Sequence, residues 1–185
     1  MQNHDGFFFH CFSSSGGSIS GTSTITQQLL KNNVFTNWTN ESTWLERFTR
    51  KIQEQYLAVE IEKKINDKNV ILENYLNTIN LGAGTYGVQA AARKYFNKDV
   101  WDLNLSECAT LAGITQNPTD YDPVTRPENN KIRRNKVLKN MLEQGYISQK
   151  QYDKAMSDDV YARIQATSAS SQADNAYSYF VDALA

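Results

Sequence analysis

Cysteine, histidine and proline are scarce in this chain of 185 residues, which contains two, two and three of them respectively. Cys11 and Cys108 lie far apart, and neither has further metal-ligating residues at the spacing of a metal site. Both histidines, His4 and His10, are distant from Cys108 in sequence. We therefore expect two free, buried thiols rather than a disulfide framework or a zinc site.

Long apolar runs and an excess of one charge are also lacking. No stretch approaches the roughly 18 apolar residues that a membrane span needs, and the first residues have no basic segment typical of a signal peptide. The formal net charge of −1 provides no global field for nucleic acid, which we do not expect as a partner. Hydrophobic residues make up 40% of the chain, enough to bury a core and to argue against disorder.

Helical periodicity is the dominant pattern, and no segment shows the alternation typical of a β-strand. We predict a mainly α structure with about seven helices. The clearest helix covers residues 44–64, where apolar side chains recur every three or four positions. Its apolar stripe consists of Leu45, Phe48, Ile52, Tyr56 and Val59.

Capping residues and glycines predict where the helices begin and end. Thr22 or Ser23 is expected to cap a helix through Leu30, and the glycine-rich segment 80–87 to interrupt the chain between helices. Further boundaries are predicted at Asn66 or Asp67, at Asn104 with Glu107, at Pro127, at Gly145, and at Ser148 with Gln151.

Charged residues gather on the side of the helix 44–64 opposite the apolar stripe. At about 100° per residue, they fall within about a third of the circumference. They are Arg47, Arg50, Lys51 and Glu54. One interpretation is a solvated face with an ordinary pair between Arg50 and Glu54. The other is the wall of a cleft, where a lone carboxylate among cations stays ionised and helps to hold a phosphate or a metal.

The segment 21–32, GTSTITQQLLKN, places neutral hydrogen-bonding side chains at the start of a helix. Thr24, Gln27 and Gln28 combine donors and acceptors, as sugar hydroxyls require, and Lys31 adds a positive charge one turn later. A helix N-terminus also favours anions. The alternative interpretation is a capped helix start that is rich in threonine.

Several segments of this sequence match the motifs of one enzyme family. The segment 21–32 resembles the motif GGSTITQQLxKN, with Thr22 in place of the second glycine. Residues 50–62, RKIQEQYLAVEIE, resemble RKxxExxxAxxLE. Residues 68–98 resemble KxxILxxYLNxxxFGxxxYGxxxAAxxYFxK, with Leu81 where phenylalanine is common.

A fourth match, at residues 105–123, resembles the closing pattern LxExAxLAGxxxxPxxYxP. The four motifs occur in the right order between residues 21 and 123, and the resemblance extends over residues 4–156. The chain therefore resembles the peptidoglycan glycosyltransferase domain of class A, bifunctional penicillin-binding proteins.

This resemblance implies a mainly α, lysozyme-like glycosyltransferase fold that lacks its N-terminal helix. It implies an enzyme that polymerises lipid II into glycan strands, with inversion at the anomeric carbon and release of undecaprenyl diphosphate. The implied partners are lipid II, the nascent glycan strand, the membrane surface and a C-terminal transpeptidase domain. The implied location is the extracytoplasmic face of the bacterial plasma membrane. The glycosyltransferase domain would then cover residues 1–165. Residues 166–176 would form a linker, and residues 177–185 would be the start of the next domain.

The resemblance also implies roles for individual residues. Glu54 matches a catalytic carboxylate of the family, which assists the diphosphate, either through a divalent cation such as Mg²⁺ or Mn²⁺ or by orienting the attack. No cofactor is otherwise implied. The phosphate-binding residues would be Lys31, Arg50, Lys51 and, with a weaker match, Arg47. The substrate-binding residues would be Thr24, Gln27 and Gln28.

The family's first motif, EDxxFxxHxG, supplies a glutamate as general base. Here His4, Asp5 and Gly6 match the end of that motif, which places the glutamate before Met1. We therefore expect the natural protein to begin earlier, and this chain to polymerise little lipid II by itself, since losing a general base costs about 10²- to 10⁴-fold in rate. The alternative is a catalytically impaired fragment that acts as a lipid-diphosphate and glycan-binding module.

Two related activities are not expected. The sequence contains no serine motif of the SxxK type, so we do not expect acylation by penicillin. A lysozyme-like hydrolase would share the fold, but it would need a general-acid glutamate near the amino terminus. It would also have no reason to carry Lys31, Arg50 and Lys51 together.

Overall fold

The computed structural model describes residues 23–35, 42–164 and 167. Within this part of the chain there is no β-strand beyond one isolated bridge, so the mainly α prediction is confirmed. A 3₁₀ helix, Val100–Asp102, precedes the fifth α-helix, and residues 160–164 are also helical. The α-helices with defined bounds are α1 (Ile25–Asn33), α2 (Trp44–Ile65), α3 (Lys68–Thr78), α4 (Val88–Phe96), α5 (Leu105–Ile114), α6 (Pro127–Glu143) and α7 (Gln149–Met156).

The chain divides into two compact units, Met1–Leu72 and Glu73–Ala185, and the division falls inside α3. In the first unit α1 packs against α2. In the second unit α5 packs against α4, α6 and α7. The apolar core at the junction of α5, α6 and α7 contains Ala109, Leu138, Ile147 and Ala155.

Most predicted helix boundaries are confirmed. Capping boxes form at Asn104 and at Ser148, Pro127 lies in the first turn of α6, and Gly145 follows the end of α6 with a positive φ of 75°. At the junction of α2 and α3, Asn66 ends α2 in the left-handed conformation, and the alternative Asp67 begins α3, since its Oδ1 accepts a hydrogen bond of 2.8 Å from the Asn69 N–H.

The start of α1 differs from the prediction, because the cap is Thr24. Its Oγ1 accepts a hydrogen bond of 3.2 Å from the backbone N–H of Gln27, whose Oε1 accepts one of 3.0 Å from the backbone N–H of Thr24. A capping box needs Glu or Gln three residues after the cap. Thr24 meets this condition, whereas Ser23 is followed at that distance by Thr26 and Thr22 by Ile25.

The predicted glycine interruption after α3 is a tight loop. The backbone N–H of Gly87 donates to the carbonyl of Ile79 at 2.8 Å, and that of Leu81 donates to Thr85 at 2.9 Å. Gly87 has a φ of +86°, and a Cβ there would lie 2.5 Å from the carbonyl oxygen of Asn77. Glycine is therefore required at position 87 both for its backbone conformation and for space.

A fully buried carboxylate, Glu107, connects three parts of the second unit. It accepts hydrogen bonds from the Lys98 ammonium at 2.9 and 3.1 Å, from the Arg163 guanidinium at 3.1 Å and from the Asn104 backbone N–H at 2.9 Å. These bonds compensate for the loss of hydration that a buried carboxylate suffers. The sequence predicted Glu107 as part of a cap, but not this ionic network.

The neighbouring Cys108 does not behave as predicted. It is a free cysteine, as expected, but its side chain is exposed rather than buried. The reason lies in the register of α5, which turns Glu107 and Ala109 inward and leaves Cys108 on the outer side. Cys11 lies outside the described residues.

Candidate anion-binding site

Helix α2 turns its charged side inward. Glu54 is fully buried and Ala58 is buried, whereas the apolar stripe is exposed, with Phe48 58% and Tyr56 65% accessible. Within the described residues, the prediction of a solvated charged face is therefore wrong for Glu54 and Arg50, whereas Arg47 is exposed. The periodicity identified the helix and its two faces, but it could not determine which face is covered.

Glu54 is held by two cations from its own helix. Its Oε1 forms an ion pair with the Arg50 guanidinium one turn earlier, and its Oε2 accepts a hydrogen bond of 2.7 Å from the Lys51 ammonium. The Arg50 side chain is nearly buried, at 12% exposure, whereas 42% of the Lys51 side chain is accessible. These two charge-assisted contacts satisfy the buried Glu54 carboxylate, and the accessible part of Lys51 presents positive charge to solvent.

Ser23 connects this cluster to the start of α1. Its Oγ accepts a second hydrogen bond from the Lys51 ammonium, at 2.8 Å. Since Ser23 directly precedes the cap residue Thr24, this bond fixes Lys51 beside the N-terminal end of α1. The sequence offered a hydroxyl at this position but gave no sign of its partner 28 residues away.

Lys31, in the last turn of α1, belongs to the same cluster electrostatically. Partial burial lowers its pKa below the ordinary value, the positive charges of Lys51 and Arg50 lower the pKa further, and Glu54 raises it. The three cations exceed the single carboxylate by two positive charges. An anion bound here would relieve the repulsion among the cations, so the cluster is suited to a phosphate or diphosphate group.

The two helices are joined by a hydrogen bond that the sequence did not predict. The Thr26 hydroxyl, on the buried side of α1, donates to Oε1 of Glu62 at 2.6 Å. A threonine and a carboxylate 36 residues apart give no local signal of their contact. This bond sets α1 against the C-terminal half of α2, while Ser23 and Lys51 connect its N-terminal end.

Arg47 is not drawn into the cluster by any described contact. Its side chain is exposed, and its charge acts on Glu46, whose pKa is lowered chiefly by hydrogen bonds from Thr43 and to a smaller extent by Arg47. The weaker match of Arg47 to the phosphate-binding residues agrees with this position, and its role stays a prediction.

The three predicted substrate-binding residues lie at the start of α1. Thr24 and Gln27 form the capping box, and the Gln28 side chain donates to the carbonyl of Ser23 at 3.3 Å. The geometry therefore supports the interpretation of a capped helix start. Their contacts with a sugar remain a prediction.

Three further predictions concern a metal ion, the family's first motif and a membrane span. The described residues contain no group of three His, Cys, Asp or Glu side chains that could hold a metal ion. His4, Asp5 and Gly6, which match the end of the first motif, lie outside the described residues. None of the described helices is both long and apolar enough to cross a membrane.

Comparison with known proteins places these motifs in a family. A sequence model of the transglycosylase family matches residues 8–142. Penicillin-binding protein 1A of Streptococcus oralis is 40% identical over 167 residues, which cover 90% of this chain and 25% of that protein. Penicillin-binding protein 1A of Aquifex aeolicus is 49% identical over 142 residues, which cover 77% of this chain and 18% of that protein.

A solved structure gives a similar match. The crystal structure of penicillin-binding protein 1A from Haemophilus influenzae is 45% identical to this chain, with a TM-score of 0.48 over 49% of this chain and 14% of the other. The chain thus spans a quarter or less of the length of these relatives. The family match covers most of the chain and includes the charged cluster of α1 and α2. This chain belongs to the transglycosylase family.

Proposed function

We propose that this chain is the peptidoglycan glycosyltransferase part of a penicillin-binding protein, which joins the sugars of lipid II into glycan strands and releases undecaprenyl diphosphate. The observation that carries the proposal is the cluster of Lys31, Arg50 and Lys51 around the buried Glu54. Family membership supports the same activity and does not favour a module that only binds.

The reaction needs positive charge where the donor sugar departs from its diphosphate. The 4-hydroxyl of the acceptor attacks the anomeric carbon of the donor, the bond from that carbon to the diphosphate oxygen breaks, and the diphosphate carries away the electron pair. Cations held in place before the reaction stabilise the growing negative charge without having to reorganise. In this proposal Lys51 and Lys31 contact the diphosphate, because both are partly accessible.

Glu54 acts in this proposal as the residue that positions the cations. Both of its oxygens are engaged by Arg50 and Lys51, and it is fully buried. Mg²⁺ and Mn²⁺ prefer several oxygen ligands, including carboxylates, whereas Glu54 is surrounded by positive charge. The donor set around Glu54 does not fit such a cation, so no step of the proposed mechanism uses one.

The acceptor proton requires a base other than Glu54, because Glu54 is fully buried and its two oxygens are engaged by Arg50 and Lys51. We assign that role to a carboxylate outside the described residues, as the family's first motif implies. The proposed partners are lipid II, the growing glycan strand, the outer surface of the plasma membrane and a transpeptidase domain in the same protein.

The test uses fluorescent lipid II in detergent micelles. We expect the chain to bind it in a salt-sensitive manner, because counterions compete for the cations. A double variant, Lys31→Gln with Lys51→Gln, should weaken binding about tenfold or more if two charge-assisted contacts are lost. Lys64→Gln is the matched control, because it removes an exposed cation in the last turn of α2 that is not among the predicted phosphate-binding residues.

Binding that is equal in all three proteins would overturn the proposal. The same samples are then assayed for glycan polymer, and we expect slow polymerisation because the base lies elsewhere. Fast polymerisation by this chain would support the proposed activity but contradict our placement of the base.

A further inference from the structure

The second unit contains an open hollow of about 310 Å³ that the proposed diphosphate chemistry does not use. Its wall is formed by the loop after α3, and by the loop between α5 and α6. The residues that line it are Asn80, Gly82, Ala83, Gly84, Pro118, Thr119, Asp122 and Thr125. Its size corresponds to the lower end of the range for small-molecule sites, which is about 300 to 1,000 Å³.

A buried carboxylate forms the floor of this hollow. Asp122 is only 7% exposed, and its Oδ1 accepts hydrogen bonds from the backbone N–H groups of Val124 at 2.8 Å and Thr125 at 3.1 Å. These bonds lock the carboxylate in one orientation. Among the described residues they all go to Oδ1, so Oδ2 retains its capacity to accept hydrogen bonds from a ligand.

Gly82 keeps the floor open. It has a φ of +80°, and a Cβ at this position would lie 3.4 Å from Oδ2 of Asp122, 3.3 Å from the carbonyl oxygen of Pro118 and 3.0 Å from the Tyr95 hydroxyl. The Tyr95 hydroxyl is fixed in turn by a 2.8 Å bond to the carbonyl of Leu81. Gly82 is therefore packed closely against the Pro118 carbonyl and the Asp122 carboxylate, which are the acceptors on this side of the hollow.

The lining groups decide between classes of ligand. A phosphate is disfavoured, because the hollow is lined by a carboxylate and by no lysine or arginine. Ca²⁺ is disfavoured, because it takes six to eight oxygens and Asp122 is the single carboxylate among the lining residues, and Mg²⁺ is tested directly below. A sugar ring offers several hydroxyl donors to the acceptors and can also pair with the Thr119 and Thr125 hydroxyls.

We propose that this hollow is a saccharide-binding subsite that takes one neutral pyranose ring, with the ring hydroxyls donating to Asp122 and to the carbonyl of Pro118. That the ring belongs to a glycan strand rests on the proposed function. The presence of a sugar site in the second unit does not, since it depends on these lining residues alone.

The test is an NMR titration of the ¹⁵N-labelled full chain with N-acetylglucosamine and with its β-1,4-linked trimer. We expect saturable shifts of the backbone signals of Gly82 and Gly84, with millimolar affinity. The double variant Thr119→Val with Thr125→Val removes two exposed hydroxyls without changing side-chain shape, and it should weaken binding about fivefold or more. Thr115→Val is the control, because this exposed threonine does not line the hollow.

Each outcome decides the proposal. Equal affinity in the double variant and the control, or no saturable shift with either sugar, would overturn it. Shifts of the same signals by MgCl₂ or CaCl₂ alone, without an effect of sugar, would assign the hollow to a cation and would also overturn it. A titration with inorganic pyrophosphate reports separately on the signals around Lys51, so the failure of the diphosphate site is distinguishable from the failure of this one.

Discussion

Lys51 donates hydrogen bonds both to Glu54 on its own helix and to Ser23 at the start of α1. The ammonium is thus held between a buried carboxylate and a hydroxyl, while part of the side chain stays accessible. A lysine held in this way loses little side-chain entropy when an anion binds, because most of that entropy is lost on folding.

Replacing Ser23 by alanine tests this arrangement. We expect pyrophosphate binding to weaken about two- to tenfold, the effect of one net hydrogen bond, while the thermal midpoint changes little because the bond is partly exposed. Ser23→Thr should restore binding, since it returns the hydroxyl. Isothermal titration calorimetry with inorganic pyrophosphate measures the effect, and unchanged affinity in Ser23→Ala would show that Lys51 does not need this partner.

In the absence of a bound anion, the charge on Lys31 is expected to lower the unfolding free energy of the chain. Its lowered pKa means that the unfolded chain holds this proton more tightly than the folded chain does. The cost is therefore fully present below the folded pKa and diminishes as the pH rises from there towards the ordinary value. After allowance for solvent screening, Lys31→Met should stabilise the free chain by less than about 1 kcal/mol at neutral pH.

The same variant should bind pyrophosphate more weakly, so stability and binding change in opposite directions. Thermal unfolding with and without pyrophosphate measures both effects. A variant that is less stable and binds pyrophosphate as well as the parent would contradict the placement of Lys31 in the anion site.

The hydrogen bond between Thr26 and Glu62 should contribute to the unfolding free energy of the first unit. Thr26→Val keeps the shape of the side chain but leaves Glu62 without its hydroxyl partner. Because Glu62 is exposed and water can replace the lost hydroxyl, we expect a loss of about 0.5 to 1.5 kcal/mol in unfolding free energy, the net contribution of one hydrogen bond. Urea denaturation followed by hydrogen exchange of α1 measures it. Glu62→Gln retains an acceptor for Thr26 and should cost less, and an equal loss in both variants would argue against this bond as the cause.

The chain should lose stability in acid when Asp158 becomes protonated. Its pKa is lowered chiefly by the hydrogen bond from Arg163, whose guanidinium lies 2.7 Å away. The stabilisation is therefore present above the ordinary carboxyl pKa and is lost as the pH falls through the lower, folded value. Asp158→Asn should flatten the acid limb of a plot of thermal midpoint against pH. A slope identical to that of the parent would assign the acid sensitivity to other carboxylates.

Local features of the structure were predictable from the sequence to a large extent. The caps at Asn104 and Ser148, the turn at Gly87 and the helical period of α2 all depend on interactions within a few residues. The helical spacing also placed Arg50, Lys51 and Glu54 on one side of α2, because residues three and four apart share a helix face. The motif resemblance then gave this group its expected role.

The covered side of α2 and the bonds between helices were not predictable. Periodicity defines two faces but does not say which is covered, and the exposed Phe48 and Tyr56 show that the apolar one is not buried here. The partners of Lys51 and Thr26 lie 28 and 36 residues away, so they depend on how α1 packs on α2. Cys108 is a further case, since its burial depends on the register of α5 rather than on its residue type.

The short spacing of Arg50, Lys51 and Glu54 within one helix has a consequence for how this chain can vary in length. Inserting or deleting one residue between positions 51 and 54 would rotate the carboxylate by about 100° relative to its cations. The pairs with Arg50 and Lys51 could not both survive such a change. Insertions and deletions should therefore be tolerated in the connections around α2 and be absent from its central turns.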